Sequence, residues 1–334
     1  MSRQVRRISV AEWERWCADA SNLPIACDPY WAQSLRVLPS YKGEAIPFLV
    51  DDESDEAIVV MYPRNQQPLD SATLSPLGLP AAFHTKSSGF RNLALLGIFL
   101  REQALRWRSI GFTRGPYWGA NAPGLASADL THDESTHVLE LAGDYNTLFS
   151  NDFKGATRTC IRRAESEGVV VERATDPDMV RRYYRIHSKL AEEKGGYAEL
   201  YPESLFVSLA ERCQRFELLV ARKGDDVIGG AAFLDDGPTT FYWHAAADRT
   251  FSRMQPAYAI LDSAIKLALE RRKAGVNLGA SAGIDSLILF KESWGARPVA
   301  IRSEVHRNPL IRGLRSIGSR VRAIRGSVFT QLGG

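Results

Sequence analysis

Cysteine is scarce and scattered in this chain: Cys17, Cys27, Cys160 and Cys213 are the only four. None forms a C-x-x-C pair or lies beside histidines, which argues against a zinc site and a disulfide framework and fits a reducing compartment. Long apolar runs are missing too. The stretch from Leu93 to Leu100 falls well short of the ~20 residues of a membrane span and runs into charge at Arg101. The opening Met1-Ser2-Arg3-Gln4-Val5-Arg6-Arg7 leads into mixed polar sequence, with no apolar signal segment behind it. A cytoplasmic protein with no membrane span is therefore expected. Charge of one sign is also lacking overall, at +3 over 334 residues, so net charge does not mark a nucleic-acid binder. The length suits two domains of ordinary size, and 45% hydrophobic content is that of a globular chain.

What is present is local. Ser286-Leu287-Ile288-Leu289-Phe290-Lys291-Glu292-Ser293-Trp294-Gly295 sets a lysine at the end of an apolar run and follows it with an aromatic-glycine stop. An ammonium at the edge of a core either snorkels to solvent along its stem or meets an anion. A second concentration lies between Ile301 and Arg325, where seven arginines stand against the single acid Glu304. Such a stretch is a phosphate-facing surface or a solvated helix face.

The chain reads as one grammar used twice. In the first half come helices around Trp13 and Trp16 and after Asp28-Pro29, then strands at Ala45 to Val50 and Ala57 to Tyr62. A Gly/Pro loop at Ser75 to Pro80, a helix at Arg101 to Ile110 and a strand at Thr136 to Leu141 follow. The second half opens with a helix from Tyr145 to Glu167, stopped by Gly168, and a β-branched strand at Val169 to Glu172. Helices at Asp178 to Glu193 and Pro202 to Arg215 precede a meander of Phe216 to Arg222, Val227 to Leu234 and Thr239 to Ala246. A helix from Pro256 to Lys273, a short strand at Val276 to Leu278, the Phe290-Lys291 segment and a strand at Pro298 to Val305 complete it. This order is an α/β sandwich with a mixed sheet, clear in the second half and degraded in the first. The expected domains are 1–146 and 147–307. Leu310, Leu314, Ile317, Val321 and Ile324 pattern a basic amphipathic helix in 308–334 that packs back to complete the first domain.

Four segments carry a resemblance. The basic helix Arg158-Thr159-Cys160-Ile161-Arg162-Arg163-Ala164 ends in Gly168-Val169. Leu218 to Leu234 contains Val227-Ile228-Gly229-Gly230-Ala231. Phe241-Tyr242-Trp243-His244-Ala245-Ala246 is an aromatic strand, and Phe290-Lys291 stands four residues before Gly295. In this order they resemble the FemABX family of tRNA-dependent peptidyltransferases, over roughly half the chain. The resemblance implies an α/β fold of two GNAT-like halves, each a mixed sheet flanked by helices. No charged helical hairpin is present to make the coiled-coil arm of some members. It also implies an aminoacyltransferase that moves an amino acid from aminoacyl-tRNA to an amine, forming a peptide bond without the ribosome, a metal or a bound cofactor.

The residue roles follow from that resemblance. Lys291 aligns with the family's lysine and would steady the negative charge that builds on the ester carbonyl and then on the departing ribose oxygen. Phe290 would stack beside the terminal adenosine, or is a plain core residue. Arg158, Arg162, Arg163, Arg302, Arg307, Arg312, Arg315 and Arg322 are the candidates for tRNA phosphates, some of them serving only to solubilise helices. Lys194, Tyr197 and Tyr201 fall where the family contacts the acceptor, and Arg36 follows Trp31 where cell-wall members offer a lysine. Strand alternation sets Tyr242 and His244 on one face, with His244 either taking the attacking amine's proton or purely structural. Arginine for lysine at Arg36 and lysine for arginine at Lys194 depart from the family. They leave a natural-product peptide beside a peptidoglycan precursor as acceptor. A monomer is expected.

Two other classes share the fold or the charge. An acyl-CoA-dependent N-acyltransferase needs a glycine-rich turn whose amides bind pyrophosphate at a helix start. The equivalent stretch, Arg249-Thr250-Phe251-Ser252-Arg253-Met254-Gln255-Pro256, has no glycine, and Pro256 has no N–H. A non-catalytic RNA-binding scaffold would leave Lys291 structural.

Overall fold

The computed structural model describes residues 4–52, 55–65, 71–86, 93–118, 128–193 and 201–310. Its strands are β1 (Gln4–Arg7), β2 (Ile46–Asp51), β3 (Glu56–Arg64), β4 (Ser71–Thr73), β5 (Phe83–Thr85), β6 (Ser109–Arg114) and β7 (Leu130–Glu140). The series continues with β8 (Val170–Arg173), β9 (Phe216–Lys223), β10 (Asp226–Asp236), β11 (Thr239–Ala247), β12 (Gly275–Ala280) and β13 (Arg297–Arg307). The helices are α1 (Val10–Asp19), α2 (Pro29–Ser34), α3 (Leu93–Gln103), α4 (Tyr145–Thr147), α5 (Gly155–Ser166), α6 (Pro177–Glu193), α7 (Glu203–Arg212), α8 (Pro256–Glu270) and α9 (Asp285–Ser293).

Among the described residues one sheet runs β1-β2-β3-β4-β6-β13-β7-β12-β11-β10-β9-β8, with β5 paired to β3. Neighbours are antiparallel except β4 with β6 and β11 with β12, one parallel pair in each half. The halves repeat one another: β1-β2-β3-β4-β6 answers β8-β9-β10-β11-β12, and each set is closed by the other half's last strand. β7, which ends the first half in sequence, pairs with β12, while β13, near the end of the second, pairs with β6. The two exchanged strands then pair with each other from Leu130↔Val305 to Val138↔Arg297. The mixed sheet flanked by helices and built as two similar halves is the α/β architecture expected above.

Three apolar clusters hold the layers. One lies between the first half's sheet and α3, another between the second half's sheet, α5 and α8. The third joins the halves: Trp13, Trp16, Trp31, Leu35 and Leu38 pack with Tyr183, Leu205, Phe206, Leu209 and Phe216. A polar latch accompanies it. The Asp236 carboxylate accepts the Ile25 amide at 3.0 Å, and Arg215 donates to the Leu23 carbonyl. Gly237 sits at φ +63°, where a Cβ would come 2.5 Å from the Asn22 carbonyl oxygen, so the halves meet too closely there for a side chain.

Two expected elements are redrawn. The apolar run Leu93 to Leu100 is itself the buried body of α3, with Leu95, Leu96 and Phe99 fully enclosed, so the helix starts earlier and Ile110 belongs to β6. The helix expected from Tyr145 to Glu167 breaks. After α4 a π-turn covers Leu148–Asp152, and Phe153 turns extended at ψ 128°. The Lys154 amide and the Thr157 hydroxyl both donate to the Ser293 carbonyl, at 2.8 and 2.9 Å, which ties the start of α5 to the end of α9. The expected helix in 308–334 lies outside the described residues beyond Leu310.

Candidate active site

β11 and β12 begin side by side and then part. Their parallel pairing covers Thr239↔Gly275 to Phe241↔Asn277 and stops, although β11 continues on β10 to Ala247. Such a wedge between the carboxyl ends of parallel strands is where open α/β sheets take ligands. Asn277 stands where the pairing ends. Its buried side-chain oxygen accepts the Thr136 hydroxyl at 2.5 Å and the Gly279 amide at 2.9 Å, at the point where the register of β12 on β7 also shifts. Gly279 follows at φ +75°.

Lys291, on α9, holds the stretch of chain where β12 leaves β11. Its side chain is 5% exposed, and Nζ donates to the Gly279 and Ala280 carbonyls, both at 2.8 Å, and to Ser281 Oγ at 3.0 Å. Three acceptors match the three protons of an ammonium. Burial pulls its pKa down from 10.5 to about 8, opposed by the Glu134 carboxylate, so the cation persists at neutral pH. His137 lies close enough for the Lys291 charge to add to burial in lowering its pKa, and its Nδ1 is buried with no partner among the described residues. Lys291 is thus a desolvated cation at the edge of the wedge, holding the loop that follows β12.

Phe290 packs beside it against Tyr258 and Trp294, at centroid separations of 5.5 and 6.3 Å, and is partly exposed. The stop after Lys291 has a steric cause. At Gly295 (φ +82°) a Cβ would lie 2.8 Å from that of Asp152, which pins α9 to the π-turn.

The aromatic strand corrects one expectation. Ala232 pairs with His244 and Phe233 with Tyr242, so Trp243 is an extra residue, a β-bulge. Alternation fails across it. Tyr242 faces Phe233 and the α8 side, whereas Trp243 and His244 both face α6, α7 and the seam between halves. Tyr242 lines a cavity of about 290 Å³ with Ala245, Ala247, Arg249, Ala257 and Ile260. Trp243 meets Trp31 of the first half edge-on at 5.4 Å and Tyr201 at 5.4 Å. His244 Nδ1 lies 2.6 Å from the Tyr183 hydroxyl, and its ring stands 4.3 Å from that of His187.

The other candidates divide. Tyr201 joins Trp243 and His244 on the seam. Arg36 is exposed and paired with Glu44 at 3.2 Å. Arg158 is committed to the carbonyls of Phe149, Ser150 and Phe153. Arg162 is exposed over the Phe149 ring at 5.4 Å, and Arg163 is exposed beside it. Arg302 forms a two-pronged pair with Asp133 at 2.6 and 3.1 Å, and Arg307 is half-buried. Lys194, Tyr197, Arg312, Arg315 and Arg322 lie outside the described residues. Sequence reasoning missed Asn277, Tyr183, His187 and His137. A polar residue inside the apolar Val276-Asn277-Leu278 was the one available signal, for Asn277.

The turn that would hold a coenzyme's pyrophosphate is closed. Arg249–Met254 wind into a 3₁₀ helix in which Phe251 N donates to Asp248 O and Gln255 N to Ser252 O. Gln255 is left-handed at φ 56°, and Pro256 opens α8 without an amide hydrogen. Among the described residues no group of three His, Cys, Asp or Glu could hold a metal ion, and no helix is long and apolar enough to cross a membrane.

Comparisons with known proteins bear on the fold. Residues 151–284 match the family model of the acetyltransferase (GNAT) domain. No curated protein matches. The crystal structure of FemX superposes with a TM-score of 0.66 at 13% identity, covering 92% of this chain and 99% of that one. The C-terminal domain of an Agrobacterium fabrum protein described as a lysylphosphatidylglycerol synthetase gives 0.59 at 13%, covering 94% and 97%. A tandem GNAT protein from the clavulanic acid biosynthesis pathway gives 0.52 at 12%, covering 92% and 99%. At these identities the likeness is one of fold. The chain has a GNAT-type acyltransferase fold in the tandem, FemX-like arrangement.

Proposed function

We propose that this protein is an aminoacyltransferase that takes its amino acid from aminoacyl-tRNA and delivers it to the amine of a peptide-like acceptor. The observation that carries the reading is the pairing of a buried ammonium at the wedge with a closed pyrophosphate turn. A GNAT-type fold whose turn before α8 has no glycine, is wound into a 3₁₀ helix and ends on a proline without an N–H is poorly suited to coenzyme A, yet it keeps a buried cation at the end of β12. The FemX likeness along nearly the whole chain is one of fold, and the donor is read from the four family-like segments of the sequence.

In the step envisaged, the acceptor's neutral amine adds to the ester carbonyl and the tetrahedral centre carries a negative oxygen. The C–O ester bond then breaks as the peptide bond forms, and the proton lost by the amine passes, directly or through solvent, to the departing ribose oxygen. Lys291 contributes its charge in a low-dielectric site, through the loop it braces or by releasing one of its three acceptors to the developing oxyanion. Of the candidate arginines, Arg162 and Arg163 on α5 are exposed and would meet tRNA phosphate, since Arg158 and Arg302 already have partners. The acceptor would lie along the seam of Tyr201, Trp243 and His244. Peptidoglycan precursors and natural-product peptides both present the required amine.

The test is transfer of a labelled amino acid from charged tRNA to a panel of peptide amines. RNase should abolish it, and acetyl-CoA should neither support nor inhibit it. Acetyl transfer in the absence of RNA would refute the donor assignment.

A further inference from the structure

His244 is held on the seam with a defined hydrogen-bond polarity. Tyr183, on α6, is wholly enclosed, and its hydroxyl has one partner among the described residues, His244 Nδ1 at 2.6 Å. Burial drives the phenol's pKa far above its ordinary value, so the hydroxyl keeps its proton, and with one partner in reach that enclosed O–H is satisfied only by donating to Nδ1. An Nδ1 that accepts leaves the neutral ring's own proton on Nε2. That second nitrogen has no partner among the described residues. The ring is half-buried, and this nitrogen is not fully enclosed. The groups facing the ring are Tyr183 and His187 from α6, Tyr201 ahead of α7 and Phe206 on α7, with no carboxylate among its ring or hydrogen-bond contacts. Burial, then His187, hold the imidazole neutral, with its pKa down to about 3.

We propose that Tyr183 locks His244 as its Nε2–H form, a fixed donor that recognises a peptide carbonyl or carboxylate of the acceptor and does not serve as the base for the attacking amine. The assignment of the ring is independent of the transfer reaction, whereas its role toward an acceptor rests on the function proposed above. The ring's one free position already carries hydrogen, so it has no lone pair to offer an amine. A donor facing a substrate oxygen discriminates strongly, because an acceptor lacking that oxygen leaves the N–H unpaired. The lock also explains Gly230 on β10. A Cβ at Gly230 would lie 2.5 Å from the Tyr183 ring, so only glycine lets the ring lie on the sheet and reach His244.

Nitrogen NMR of the labelled full chain tests this directly. The expected signature is an Nε2–H tautomer of His244 that persists between about pH 5 and 8. Tyr183→Phe should mix the tautomers and raise the ring's pKa. Adding alanylalanine, which offers an amine, a peptide carbonyl and a carboxylate, should shift the Nε2 proton. His244→Ala should weaken dipeptide binding by about 10-fold or more, and His244→Gln, which keeps an N–H, by less. In a transfer assay the loss should fall on the acceptor KM. An Nδ1–H tautomer in the unmodified protein, or an Nε2 proton that the dipeptide leaves unmoved, overturns the proposal. So does a collapse of kcat in His244→Gln together with loss of a limb of the pH–rate profile, since that identifies a base. A chain that transfers nothing from tRNA yet shows the locked tautomer and the dipeptide shift refutes the function while upholding the donor.

Discussion

At the scale of single residues the account turns on how Lys291 is charged. Its pKa near 8 places the loss of the cation just above neutrality, while the attacking amine gains reactivity as it deprotonates. The rate should therefore rise and then fall with pH, with a descending limb near 8. Lys291→Arg, if active, should lose that limb, because a guanidinium stays charged throughout. Lys291→Ala should lower transfer by a factor on the order of 10² or more. It also strips the donor from two carbonyls and a hydroxyl, so a stability loss of about 1–3 kcal/mol should accompany it in urea denaturation. An unchanged rate in a folded Lys291→Ala would remove the ammonium from the chemistry. Lys291 itself was legible, since an isolated lysine behind an apolar run and before Trp294-Gly295 is conspicuous in the sequence. Its three acceptors were not, because they come from a different strand end whose turn depends on Asn277 and Gly279.

At the scale of elements, the second half was readable wherever a local pattern decides structure. Strands β9 to β11 follow their apolar and aromatic runs and the turn at Lys223-Gly224-Asp225-Asp226, and α8 follows Pro256. The bulge at Trp243 was not readable. It is defined by how β11 meets β10, and it moves His244 to the face opposite Tyr242 without any local mark. The break between α4 and α5 was hidden in the same way, since the bonds that replace the missing helical ones come from Ser293, more than a hundred residues away. The glycines of β10 give the matching prediction. Gly230→Ala should cost about 1–3 kcal/mol, seen as a lower urea midpoint at an unchanged slope, because the Tyr183 ring and the Leu219 carbonyl cannot both yield. Gly224→Ala, at φ +58° with open space around it, should cost only its backbone strain, about 1 kcal/mol. Equal costs would mean that the Tyr183 contact is not what Gly230 serves.

At the scale of the whole molecule, the two halves are bound by the exchanged strands β7 and β13 and by the shared core behind the seam. Both strands could be read from sequence, but their partners could not, because pairing across the middle of the sheet is a long-range choice. The Asp236 latch makes this union sensitive to pH. Burial raises its carboxyl pKa from 3.8 to about 6, against the pull of the Ile25 amide and Arg215. The folded chain then holds more protons than the unfolded one between those values, so this group's contribution to stability falls as pH climbs through that window. Asp236→Asn keeps an oxygen for the Ile25 amide and removes the titration. It should raise Tm above pH 6, by an amount worth at most about 3 kcal/mol, and flatten the stability profile between pH 4 and 6. A variant that melts lower at pH 7 would show that the ionised carboxylate is the stabilising form.

The fold is shared with proteins of several activities, so the function rests on the donor. The most direct measurement is a single transfer assay with purified full-length chain, charged tRNA mixtures, peptide amines and acetyl-CoA supplied separately and together. The account predicts an RNase-sensitive peptide product that acetyl-CoA neither replaces nor suppresses and that Lys291→Ala nearly eliminates. An acetylated product formed without RNA, or full transfer by the alanine variant, would contradict it.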